Sequence, residues 1–123
     1  MLDGTVKVGD FGISKVLDTF DGSKITNDGG TDYYLAPEAF LKQQVVIESD
    51  IFALGCIMHE MASGKKTFKS QITEKNQRNK VKQRVLNYLP KRLPKNYSRE
   101  LRCTILDMVN KNLSTRPSAG RLL

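Results

Sequence analysis

One segment limits the possible folds of this chain more than any other. After Ser49 the sequence reads Asp50-Ile51-Phe52-Ala53-Leu54-Gly55-Cys56-Ile57-Met58-His59-Glu60-Met61-Ala62-Ser63-Gly64. Ser49 can cap a helix over residues 50–63, Asp50 suits the positive end of its dipole, and Gly64 can end it in the left-handed conformation. Ile51, Phe52, Ala53, Leu54, Cys56, Ile57, Met58 and Met61 would then cover every face. A helix apolar all round belongs at the centre of a core, with other elements packed about it. A bilayer is not the alternative, because the apolar stretch over residues 51–58, interrupted only by Gly55, is far below the roughly 18 residues a span needs. The opening Met1-Leu2-Asp3-Gly4-Thr5 has neither the basic start nor the apolar run of a secretory leader. No membrane partner is expected, and the expected location is cytoplasmic or nuclear.

A length of 123 residues suits one domain. Thr5-Val6-Lys7-Val8 alternates polar and apolar side chains behind Asp3-Gly4, which predicts a short half-buried strand at the amino end. Residues 18–32 are rich in Asp, Gly, Ser, Thr and Asn without periodicity and read as a long exposed loop. Pro37 opens a short helix over residues 38–42, where its missing N–H is harmless. A basic amphipathic helix is predicted over residues 72–89, with Val81, Val85, Leu86 and Leu89 on one side and Pro90 and Pro94 breaking the chain after it. Ser98 caps a further helix in which Leu101, Ile105, Met108 and Val109 recur at helical spacing. Residues 118–123 look like the first turns of another. The fold class is therefore mainly α.

Charge is unevenly distributed. Residues 65–102 hold thirteen Lys and Arg against Glu74 and Glu100, in a chain whose formal net charge is +7. Such a block can dock an acidic protein partner or form the solvated face of one helix and its flanking loops. Nucleic acid is not expected, since Phe68, Tyr88 and Tyr97 are too scattered for a stacking platform. Cys56 and Cys103 stand far apart in sequence with no second Cys or His beside them, so no metal spacing or disulfide framework is present. Cys56 reads as a small core hydrophobe, and the single His59 as a packing or surface residue.

Four short motifs follow one another. Val8-Gly9-Asp10-Phe11-Gly12-Ile13 comes first, then Gly30-Thr31-Asp32-Tyr33-Tyr34-Leu35-Ala36-Pro37-Glu38, then Ser49-Asp50-Ile51-Phe52-Ala53-Leu54-Gly55, then Arg116-Pro117-Ser118. Asp10-Phe11-Gly12 by itself is either an ordinary Asp-x-Gly turn or a turn whose carboxylate ligates the magnesium bridging nucleotide phosphates. In this order and spacing the four motifs resemble the carboxyl-terminal lobe of eukaryotic protein kinases. Gly30-Thr31 before Tyr34, with Ala36-Pro37-Glu38, is similar to the serine/threonine class, and the whole run is most similar to kinases related to never-in-mitosis A.

The resemblance implies a partial protein kinase domain over residues 1–123, helical with a short β-hairpin remnant at the amino end and without the amino-terminal lobe. Metal-binding turn and activation segment would occupy residues 10–38, and lobe helices residues 38–123. Asp10 would be the magnesium ligand, with Phe11 and Gly12 completing the cofactor-binding turn for ATP and Mg2+. Thr26, or else Ser23, would be the phosphorylated residue of the activation loop, with Lys15 and Lys24 the only nearby cations. Thr31 and Tyr34 would lie in the substrate-docking segment. Glu38 would pair with Arg116, and Asp50 would hold the backbone of the catalytic loop. The family reaction is transfer of the ATP γ-phosphoryl group to Ser or Thr of a protein substrate. These 123 residues contain no Gly-rich loop, no strand lysine and no His-Arg-Asp catalytic loop, so the resemblance supplies no catalytic residue here. Alone they are expected to be inactive, to bind ATP and Mg2+ at most weakly, and to need the missing amino-terminal lobe as partner. The rival expectation is a catalytically dead module docking an acidic partner through residues 65–102. Phe52, where the family usually has Trp, and Leu113, where it commonly has Pro, are departures that bear on packing.

Overall fold

The computed structural model describes residues 4–9, 23–24, 34–42, 44–68, 82–83, 85–87 and 89–123. Its elements are β1 (Ser23–Lys24), α1 (Pro37–Lys42), β2 (Gln44–Val45), α2 (Ile47–Ser63), α3 (Arg99–Met108) and α4 (Ala119–Leu122). β1 and β2 pair antiparallel, Ser23 opposite Val45 and Lys24 opposite Gln44. Residues 82–83 and 85–87 are helical, within the stretch where the basic helix was expected. The described chain is mainly helical.

Local chemistry explains the helix ends. Pro37 is the first residue of α1, and Glu38 puts a negative charge in its first turn. α3 begins after Ser98, whose Oγ accepts the Leu101 N–H at 3.1 Å. At the end of α2, Gly64 has φ 70° and its N–H donates to the Glu60 carbonyl at 2.8 Å. A side chain there would meet its own backbone, which is why glycine suits the position.

α2 starts earlier than the sequence suggests. Its cap residue is Val46, and Ser49 lies one turn inside, with its Oγ accepting the Val46 N–H at 3.1 Å. Ser49 therefore satisfies an orphan donor from within the helix. A second demand fixes it there, because its hydroxyl also donates to Glu38 Oε1 at 2.7 Å.

The core forms where α2 meets α1, α3 and the segments between them. Ala36, Phe40, Phe52, Cys56, Phe68, Val85 and Val109 make one buried cluster, with Tyr34 and Leu35 packed against it. The Phe52 and Phe68 rings stack with centroids 5.9 Å apart. Such offset pairs add about 0.5–1.5 kcal/mol beyond the area they bury. Gly55 lies where α2 and α3 cross. A Cβ there would stand 2.7 Å from Met108 Cβ and 2.9 Å from Val109 Cγ1.

Three expectations are corrected. Thr5-Val6-Lys7-Val8 is not a strand: residues 4–9 have no regular structure, and Val6 is 91% exposed. Alternation alone supplies half a ladder, and the ladder among the described residues does not include this segment. The expected β-hairpin remnant at the amino end is thus absent from the described residues, and the one ladder there joins Ser23–Lys24 to Gln44–Val45. Nor is α2 buried on all sides, because Leu54 and Ile57 are 45% and Met61 78% exposed. The described elements cover one face of α2, through Ile51, Phe52, Gly55, Cys56 and His59. Finally, Leu89 is non-helical and exposed rather than on an apolar helix face. The residue before a proline is driven out of the α region, and Leu89 precedes Pro90.

The close crossing at Gly55 yields a stability test. Alanine favours a helix interior by about 1 kcal/mol, but the clash with Met108 Cβ and Val109 Cγ1 costs about 1–3 kcal/mol. Gly55→Ala is expected to lower the urea midpoint, and Gly55→Leu to prevent folding. An unchanged or raised midpoint for Gly55→Ala would show that the helices can separate freely.

Candidate functional site

The strongest polar constellation in the described structure centres on Arg116. Its Nη1 donates to Glu38 Oε1 at 2.9 Å and its Nη2 to Oε2 at 3.2 Å, a two-point contact between residues 78 apart in sequence. Nη1 also donates to the Glu48 carbonyl at 2.8 Å. Nε and Nη2 donate to the Asn110 carbonyl at 3.1 and 3.0 Å. A guanidinium has five N–H donors, and each meets an acceptor. The Phe52 ring lies under the cation, 5.1 Å from Cζ to centroid.

Both partners are buried, Glu38 at 6% and Arg116 at 4% exposure. Burial pushes the Glu38 carboxyl up, but hydrogen bonds from Arg116 and Ser49 and the Arg116 charge outweigh it, leaving the group below its ordinary value. Glu38 is thus a fully engaged carboxylate, and no buried polar side-chain atom among the described residues lacks a partner.

A second group anchors the other end of the same short stretch. Tyr34 Oη donates to Glu60 Oε2 at 2.7 Å and accepts from Lys66 Nζ at 3.0 Å. Lys66 Nζ lies 3.7 Å from Glu60 Oε1 and 5.1 Å from the Tyr34 ring centroid. Residues 34–38 are therefore pinned at both ends, to the last turns of α2 by Tyr34 and to its first turn and the 110–116 turn by Glu38.

His59 belongs to neither group. It is buried, its Nε2–H donates to the Lys91 carbonyl at 2.8 Å, and its Nδ1 lies 3.1 Å from Thr67 Oγ1. Cys56 is also buried, and desolvation pushes its thiol up to about 12. Such a thiol is a packing residue, as expected from its apolar surroundings.

Of the residues singled out in the sequence, the structure brings together Glu38 and Arg116 and places Tyr34 against Glu60. Asp50 lies exposed in the first turn of α2, away from that pair's contacts. Asp10, Phe11, Gly12, Thr26 and Thr31 lie outside the described residues, as does the side chain of Ser23. Sequence reasoning missed Ser49 as a partner of Glu38, and it missed Glu60 and Lys66. The Glu38 to Ser49 bond had no signal beyond the shared polarity, and a hydroxyl at a helix start reads first as a cap.

Among the described residues no three His, Cys, Asp or Glu side chains converge on a point that could hold a metal ion. The Thr67 hydroxyl beside His59 Nδ1 also donates to the Cys56 carbonyl at 3.1 Å, so that contact is part of the packing around α2. What the described residues do is hold residues 34–38 in one conformation.

Comparison with known proteins identifies the family. Residues 1–123 match the family described as protein kinase domain. The chain is 34% identical, over 98% of its length, to the G2-specific protein kinase nim-1 of Neurospora crassa. It is 36% identical over 96% of its length to the serine/threonine-protein kinase Nek4 of Mus musculus, and 33% over 99% to Nek2 of Homo sapiens. It spans 13%, 14% and 26% of those relatives.

The Arg116 contacts generate two tests. Arg116→Ala leaves a buried carboxylate unpaired and is expected to cost about 3–5 kcal/mol in urea denaturation. Arg116→Lys should not restore the loss, because an ammonium cannot make the two-point contact; a lysine variant as stable as the parent would refute this. The pH test follows from linkage. A carboxyl whose folded value is depressed contributes stability that is present above its unfolded value and lost as pH falls through the folded one. Urea midpoints should fall below about pH 4, and Glu38→Gln should flatten that fall while lowering the midpoint at neutral pH.

Proposed function

We propose, from the premise that this chain belongs to the protein kinase domain family, that its 123 residues are the carboxyl-terminal lobe portion of a serine/threonine protein kinase domain. Its segment 34–38 is the floor on which a protein substrate docks. The single observation that carries this reading is the buried two-point contact between Glu38 and Arg116, which ties the end of that segment to a turn far along the chain. A docking floor must keep its shape while peptides come and go. Pinning at Tyr34 and at Glu38 supplies that rigidity without any reacting group.

The family reaction moves the ATP γ-phosphoryl group to a Ser or Thr hydroxyl, and the relatives named above are serine/threonine or G2-specific protein kinases. Protein kinases generally use ATP with Mg2+. Among the described residues no three His, Cys, Asp or Glu side chains converge, and Asp10 lies outside them. Asp10 is the one residue the motif assigns to the ion, and magnesium is normally held by one or two carboxylates together with the nucleotide's own phosphates.

The exposed stripe of Leu54, Ile57 and Met61 on α2 supports the same reading. A helix in mid-domain is apolar all round because further elements of the domain cover its second face. The described residues cover only the first. In isolation, these 123 residues neither bind ATP tightly nor transfer phosphate, since phosphoryl transfer depends on positioning and electrostatic groups that they do not contain.

Titration of the purified chain with magnesium and ATP, followed by a phosphorylation assay with a Ser-containing protein, tests this. No micromolar binding and no turnover above an Asp10→Asn preparation are expected. Binding in that range, or turnover that Asp10→Asn abolishes, would show that the segment carries a complete catalytic site.

A further inference from the structure

The stretch from Leu89 to Arg99 is irregular in conformation yet held at several points. The buried His59 donates its Nε2–H to the Lys91 carbonyl at 2.8 Å. Leu93 is inserted into the core at 5% exposure. The Tyr97 carbonyl accepts Arg102 Nε–H at 3.1 Å, and Ser98 caps α3. Between these anchors Lys91, Arg92, Lys95 and Arg99 are exposed, and none pairs with an acidic side chain among the described residues. Eight residue steps, at about 3.3–3.6 Å each when fully extended, keep Lys91 and Arg99 within about 29 Å.

Local stability does not account for these charges. A core anchor such as Leu93 needs no cation on either side of it. Arg99 sits at the positive end of the α3 dipole, where a cation is disfavoured and an acid favoured. Four like charges on one fixed strap repel one another, and an anionic ligand relieves that repulsion.

We infer that the 89–99 strap is a docking surface for an acidic segment of another protein, one that carries an apolar residue among its Asp and Glu. Lys91, Arg92, Lys95 and Arg99 meet the carboxylates, and Leu89, 84% exposed at the start of the strap, meets the apolar residue. The strap is already ordered, so little conformational freedom is lost on binding. A polypeptide fits better than a nucleic acid. The only aromatic side chain described in the strap, Tyr97, is half-buried, so the strap lacks a run of exposed rings for stacking bases, whereas Leu89 offers contact to an apolar side chain. This site is separate from residues 34–38 and does not depend on the kinase reading.

Fluorescence anisotropy of the purified chain with a labelled twelve-residue Glu-rich peptide containing one central Leu tests the inference. A dT oligonucleotide of equal charge and phosphatidylserine vesicles serve as competing probes. The peptide is expected to bind, with affinity falling about tenfold or more in Lys91→Glu/Arg92→Glu and again in Lys95→Glu/Arg99→Glu, because rim and docking charges of this kind set complementarity. Leu89→Ser should weaken it several-fold, while Lys65→Glu, an exposed cation outside the strap, should leave it within about twofold. The charge variants alter exposed side chains only, and unchanged far-ultraviolet circular dichroism and urea midpoints identify those that are folded. If a double variant does not fold, the single variants Arg92→Ala and Lys95→Ala carry the test, each with about a threefold loss expected. No peptide binding, equal loss from Lys65→Glu, or tighter binding of the oligonucleotide or vesicles would each overturn the inference.

Discussion

A buried guanidinium is stable only when every donor finds an acceptor, and the described fold is arranged around that demand. Arg116 draws its acceptors from the Glu38 side chain on α1, the Glu48 carbonyl in the first turn of α2, and the Asn110 carbonyl just after α3. Moving Glu38 away would leave the guanidinium charge unpaired in the interior, and moving either carbonyl would leave buried N–H donors without acceptors. The contact therefore makes the positions of three separate segments conditional on one another. An apolar replacement of similar volume could match its stability, but it would not specify the three positions together. Phe52 beneath the cation extends the same demand into the apolar core, since its ring also stacks on Phe68.

Rigid placement of residues 34–38 is the structural consequence. Tyr34 is clamped by Glu60 and Lys66, Ala36 is buried in the core, and Glu38 is locked by Arg116 and Ser49. α2 supplies Glu60 and Ser49 to these contacts, and it crosses α3 closely at Gly55. The opposite face of α2 is left apolar and exposed, as befits one part of a protein kinase domain whose relatives are several times longer.

Much of this was legible in the sequence where the signal is local. Pro37 at a helix start, Ser98 as a cap, Gly64 in the left-handed conformation and the spacing of Ile105 and Met108 all reflect nearest-neighbour chemistry. Glu38 and Arg116 were paired through the family's motif pattern, since spacing alone contains nothing that links them. Harder to see were bonds in which one partner is a backbone carbonyl, such as His59 to Lys91, because any residue can supply that group. Ser49 misled for a related reason. A hydroxyl near a helix start is read as the cap, whereas here it reaches back to Val46 from inside the helix and forward to Glu38. Thr5 to Val8 failed because alternation cannot reveal whether a pairing strand exists.

A double-mutant cycle on Glu38 and Arg116 most directly tests whether this contact governs the arrangement. Urea denaturation of Glu38→Ala, Arg116→Ala and the double variant at neutral pH separates the energy of the pair from that of each truncation. A coupling of about 2–3 kcal/mol, with the double variant less destabilised by that amount than the sum of the two single ones, is expected if the two side chains depend on each other. Additivity within about 0.5 kcal/mol would contradict it, and would mean that α1, α2 and the 110–116 turn are held together by the apolar core alone.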